Sequence, residues 1–138
     1  MMRTIILVSL LCSLACTFPS KEDIVRENRW KYEITQDFVI NDEEKTLTLE
    51  IKVKNLAGTL KLQDLTVDLK GFSETDEVLW SKRMTLDVSD ISEYSTKVFP
   101  FKETIENAPE IQKLLVIQAP DDPGSGFETY PEFLRIIQ

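Results

Sequence analysis

The sequence predicts an all-β protein: a single antiparallel β-sandwich of about seven short strands after an N-terminal signal helix. Three observations carry that expectation. Apolar residues recur with a period of two through most of the chain, most cleanly where Leu47, Leu49, Ile51 and Val53 alternate with Thr48, Glu50, Lys52 and Lys54. Turn-forming clusters interrupt that pattern at short intervals, as at Asn41-Asp42-Glu43-Glu44, Asn55-Leu56-Ala57-Gly58 and Asp121-Asp122-Pro123-Gly124. The composition is that of one globular domain: 138 residues, 42% hydrophobic and 29% charged, with no repeat and no low-complexity tract. A small barrel is the alternative closure of the same strands.

The first strand is expected where Trp30, Tyr32 and Ile34 alternate with Lys31, Glu33 and Thr35. The second spans Lys45 to Asn55, half-buried, with opposed Glu and Lys on its wet face. Leu60 and Leu62, then Leu65, Val67 and Leu69, form the third, and the slip in phase predicts a bulge near Gln63-Asp64. Val78 and Trp80 begin a fourth that continues through Met84, Leu86 and Val88 after a second slip. Tyr94, Thr96 and Val98 run into Phe99-Pro100-Phe101, and Pro100 places this strand at a sheet edge. Pro109 bars a long helix between Thr104 and Gln112. Lys113 to Ala119 is a short apolar strand, and Phe127 to Gln138 is a candidate to close the sheet.

The N-terminus differs in kind. Met1-Met2-Arg3 is followed by the apolar run Thr4 to Ala15, the length of a signal-peptide core and short of the roughly 20 residues a membrane span needs. Residues 1–15 therefore read as a signal peptide, residues 16–28 as a tether with a short helix, and residues 29–138 as the sandwich. Ser20 and Asp23 have the spacing of a helix capping box. Cleavage after Ala15 leaves Ser13 and Ala15 at the small-residue positions of an ordinary export signal. The stretch Ser13-Leu14-Ala15-Cys16 also resembles the lipobox of bacterial lipoproteins, with Ser13 where Leu is usual. That resemblance implies lipidation of Cys16 and anchoring in the cell envelope, and Thr17 after it implies the outer membrane. Plain secretion is the alternative. Only two Cys occur, Cys12 and Cys16, so the mature chain has no disulfide partner for Cys16, and acylation would remove a free thiol from an oxidising compartment.

The span from Lys45 to Phe101 resembles the FxLYD-like and late-embryogenesis-type sandwich domains found in bacterial lipoproteins. The points of likeness are Val53-Lys54-Asn55, Leu65-Thr66-Val67-Asp68-Leu69 and the Ser-rich step into Tyr94 to Phe99. Val67-Asp68-Leu69 stands nearest to the name-giving triplet. The resemblance implies an immunoglobulin-like sandwich and transfers no catalytic residue.

The chemistry is narrowed by what is missing. With no His in the chain, His-based triads and the usual zinc sites are excluded. Four Gly leave little for a phosphate loop, and a net charge of −8 disfavours nucleic acid. No cofactor is expected, and the many carboxylates read as a solvated surface. Asp121, Asp122 and Ser125 are weak calcium candidates, since Ca²⁺ takes oxygen ligands, but the same residues suit a plain turn. Trp30 and Trp80 stand in strand phase and are expected in the core. With them, Tyr94 and Tyr130 complete the aromatic candidates for a binding face, and Tyr130 beside Pro131 is better placed for exposure. The expectation is a non-catalytic module that meets an envelope protein, for instance by strand addition. A soluble secreted ligand-binding domain is the alternative.

Overall fold

The computed structural model describes residues 20–57 and 61–126. The signal segment, Cys16, Leu60, the closing segment Phe127 to Gln138 and Tyr130 lie outside them. The described chain is a helix followed by two antiparallel three-stranded sheets. Helix α1 is Lys21–Arg29, and the strands are β1 Tyr32–Asn41, β2 Thr46–Asn55, β3 Asp64–Phe72, β4 Val78–Asp87, β5 Thr96–Thr104 and β6 Lys113–Gln118. Sheet order is β1-β2-β5 and β4-β3-β6. The expected sandwich is present, with six strands among the described residues.

The core follows from the alternation. Leu47, Leu49, Ile51 and Val53 of the central strand β2 are fully buried, as are Val67 and Leu69 of β3 opposite them. Each such side chain contributes roughly 1.5–3 kcal/mol by leaving water. Register builds rows across the first sheet, as in Phe38–Leu49–Phe101, and across the second, as in Met84–Val67–Gln118. One row of the second sheet is Trp80–Gly71–Leu114. A Cβ at Gly71 would come within 3.0 Å of Ile111, so the missing side chain makes room for that residue.

Several boundaries differ from the sequence reading, each for a physical reason. Trp30 is the helix C-cap rather than a strand residue, so alternation begins at Tyr32. Trp30 is accordingly 65% exposed instead of in the core. No bulge forms at Gln63-Asp64: β3 starts at Asp64, and Leu62 is buried in the approach to it. The register irregularity falls at Gly71/Phe72. The second slip is absent too, because β4 pairs without interruption from Trp80 to Asp87. Lys82 occupies the inward place that looked like a break. β5 begins at Thr96, with Phe99 and Phe101 facing the core and Val98 facing water. Pro100 does lie on an edge strand. Pro109 sits in a single 3-10 turn, Ala108–Glu110.

Inward-pointing polar residues on the four outer strands join the sheets. On one side, Gln36 of β1 donates to the Leu114 carbonyl at 3.2 Å, and Gln118 of β6 donates to the Tyr32 carbonyl at 3.1 Å. On the other, Lys82 of β4 pairs with Glu103 of β5 at 3.4 Å and lies over the Phe101 ring. Lys97 of β5 donates to the Asp87 carbonyl and pairs with Asp90 at 2.9 Å. Such inward charges on edge strands are a recognised guard against edge-to-edge association.

Candidate functional site

Antiparallel order puts all strand termini at two ends. The helix end collects α1, the start of β1, the end of β2, the 88–95 loop and the 119–126 loop. The hairpin end collects the 42–45, 73–77 and 105–112 connections.

At the helix end the sequence forms α1 through a complete capping box: Ser20 Oγ accepts from the Asp23 amide, and Asp23 accepts from the Ser20 amide, both at 3.2 Å. These bonds hold the Asp23 carboxyl below its ordinary range. Ile24, Val25, Asn28 and Arg29 form the buried face of the helix. Arg29 donates to the Ala119 carbonyl at 2.8 Å, and its own carbonyl accepts from Gln118 at 2.7 Å. The guanidinium has no carboxylate partner among the described residues; it lies 4.4 Å from the centre of the Trp30 ring. Arg29 Nε, Asn28 Oδ1 and Gln118 Oε1 are buried without a hydrogen-bond partner among the described residues.

Trp30 opens a row of exposed apolar groups. The Leu56 amide donates to the Lys31 carbonyl at 2.8 Å, and the Tyr94 amide donates to the Asn55 carbonyl at 2.7 Å. These two bonds place Trp30, Leu56 and Tyr94 on neighbouring segments across the end of the first sheet. Their exposures are 65%, 40% and 68%. Tyr94 has a φ of 60°, in the left-handed region that a bulky residue occupies only at a cost. Beneath the row, fully buried Asn55 donates to the Ile91 carbonyl at 2.9 Å and accepts from the Ala57 amide at 2.7 Å. The Tyr32 hydroxyl accepts from the Leu62 amide at 3.0 Å, and burial pushes the Tyr32 phenol above its usual value.

The calcium candidates are placed separately. Asp121 meets Arg83 at 2.8 Å, and Arg83 also grips Asp68 at 2.7 Å. The Arg83 hydrogen bonds hold both carboxyls below their ordinary values. Asp122 accepts from the Gly124 amide at 3.0 Å, and Ser125 bonds Asp64 through both its amide and its hydroxyl. Gly124 has a φ of 90°, and a Cβ there would run into the Asp64 carbonyl. The loop thus uses its oxygen atoms to fasten itself to β3 and β4. Among the described residues no three acidic or thiol side chains converge as a metal site.

Trp80 is half-buried in β4, with ring centroids 6.0 Å from Phe101, near the hairpin end. The sequence reading named Trp30 and Tyr94 among its aromatic candidates but expected Trp30 in the core and did not join either to Leu56. A signal was available: the capping box at Ser20 fixes where the helix starts, but its end at Arg29 had to be known to take Trp30 out of strand phase.

Two antiparallel sheets sealed at both sides by polar side chains define the molecule as an all-β sandwich. No protein family, curated protein or solved structure matches the chain. Among the described residues no helix is long and apolar enough to cross a membrane.

Proposed function

We propose that the chain is an exported lipoprotein, tethered through Cys16, whose sandwich acts as a non-catalytic protein-interaction module of the cell envelope. The observation that carries the reading is the N-terminal sequence: an apolar run ends at Ser13-Leu14-Ala15-Cys16, four residues before the helix cap Ser20. A short tether thus leads from the lipid attachment point straight into a folded domain. Thr17 assigns the outer membrane under the sorting rule of enteric-type bacteria. The likeness to FxLYD-like sandwich domains agrees with this reading. Protein contact by strand addition would use the edge of β1 beyond Tyr32, whose carbonyl Gln118 already occupies; side chains hold carbonyls of β4 and β6, and Pro100 interrupts β5.

A second reading, a soluble secreted ligand-binding domain, draws on one residue: Ser13 suits ordinary signal cleavage better than it suits a lipobox. Detergent phase partition of the exported protein, wild type against Cys16→Ser, separates them. The lipoprotein reading expects wild type in the detergent phase and Cys16→Ser in the aqueous phase. Both in the aqueous phase would leave the soluble reading.

A further inference from the structure

We propose that the helix end is a membrane-contact surface: Trp30, Leu56 and Tyr94 sit in the interfacial layer of the bilayer that holds the lipid anchor. The inference rests on the lipid-anchored reading and adds an orientation and a second point of attachment.

Three observations converge on it. The row is chemically suited to the interface, because Trp and Tyr combine an apolar ring with a polar tip and concentrate at the headgroup level. Tyr94 is held outward in a left-handed conformation, and Trp30 covers the buried Arg29 guanidinium with one face of its ring.

The chain also enters the domain at this end. Ser20 is four residues along the chain from Cys16, a reach of at most about 14 Å when extended. The first turns of α1 contribute Glu22, Val25 and Arg26 to a groove of about 440 Å³ shared with Pro123, Gly124, Ser125 and Gly126. That loop bonds Gln63 and Asp64 at the start of β3. The anchor is therefore short and attached on the helix side.

Charge distribution favours the same orientation. The connections at the hairpin end hold Asp42, Glu43, Glu44, Glu74, Asp76, Glu77, Glu106 and Glu110 against a single Lys45. An anionic leaflet repels that end. The connections at the helix end set seven carboxylates against Lys21, Arg26, Lys31 and Lys61, with Arg29 buried, and so carry far less net negative charge. A diacylglycerol anchor holds the chain to the bilayer but leaves the domain free to tumble; an aromatic contact beside the anchor fixes its orientation.

The two tryptophans provide the test, since Trp30 is at the helix end and Trp80 lies near the hairpin end. The mature protein is purified from the envelope, its acylation is verified by intact mass, and it is reconstituted into phosphatidylethanolamine–phosphatidylglycerol vesicles with a nitroxide-labelled lipid. Wild type and Trp30→Phe are compared. The exposed position of Trp30 makes this replacement mild, and Trp80 remains as the emitter. The proposal expects wild type to lose severalfold more emission than Trp30→Phe. Equal quenching of the two acylated proteins overturns it while leaving the anchor intact. A mass without lipid on Cys16 overturns the anchored reading and the contact surface together. If quenching is equal and a photoreactive group at Tyr94 captures an envelope protein, the row is a protein-docking site and not a membrane contact.

Discussion

At the helix end the strands terminate in a layer of specific side-chain bonds. Asn55 spans from β2 to the 88–95 loop, the Tyr32 hydroxyl holds the approach to β3, and Arg29 and Gln118 lock α1 onto β6. At the hairpin end Asn107 reaches the Leu79 carbonyl of β4 at 3.0 Å, and the turns themselves are held by local bonds, such as Asn41 Oδ1 accepting from the Glu43 and Glu44 amides. Among the described residues only Lys45–Glu106, an exposed pair, crosses between two of those loops through charge. The contrast teaches that carboxylate density and structural weight are separated in this molecule. The acidic end sets the charge, and the helix end holds the sheets and presents the apolar row.

If that contrast is right, the largest loss of stability comes from Asn55→Ala. It leaves the Ile91 carbonyl and the Ala57 amide without their partner, and about 3 kcal/mol should disappear from the unfolding free energy in urea melts. Tyr32→Phe orphans the Leu62 amide and should cost about 2 kcal/mol in the same melts. By contrast, Glu43→Gln and Glu77→Gln at the hairpin end should each stay within about 0.5 kcal/mol of wild type. A hairpin-end variant as costly as Asn55→Ala would break the comparison.

Smaller changes sharpen it. Ser20→Ala removes the cap of α1 and should cost about 1 kcal/mol. Tyr94→Gly and Asp76→Gly both relieve left-handed backbone and should each stabilise by up to about 1 kcal/mol. They part company on vesicles: only Tyr94→Gly should weaken nitroxide quenching of Trp30.

Acid produces the smallest effect. Arg83 hydrogen bonds depress the Asp68 and Asp121 carboxyls below their ordinary value of 3.8. Their contribution is fully present above that value and is lost as pH falls through the depressed folded values. Because Arg83 and Asp121 are exposed to solvent, the loss should be modest. Thermal melts should show the decline in wild type and a flatter profile in Arg83→Gln.

Much of the fold was legible because β2 is strictly alternating and Pro100 marks an edge. The capping box at Ser20 was equally plain, since a cap is a local motif. What escaped were residues whose role depends on the opposite sheet. Lys82 and Gln118 point inward, and the former looked like a phase break because no sequence pattern reveals its partner Glu103. Trp30 was misplaced for a related reason: one more residue of helix, Arg29, carries it from strand phase to a cap. The apolar row arises from backbone bonds between segments far apart in sequence, Lys31 to Leu56 and Asn55 to Tyr94, which periodicity does not encode.

The central claim is that this sandwich is held to a membrane by Cys16, and the intact mass and N-terminus of the mature protein from its native envelope address it most directly. The account predicts a chain beginning at Cys16 and carrying at least a diacylglycerol. An unmodified chain beginning at or after Cys16 would contradict it and leave a secreted soluble sandwich in its place.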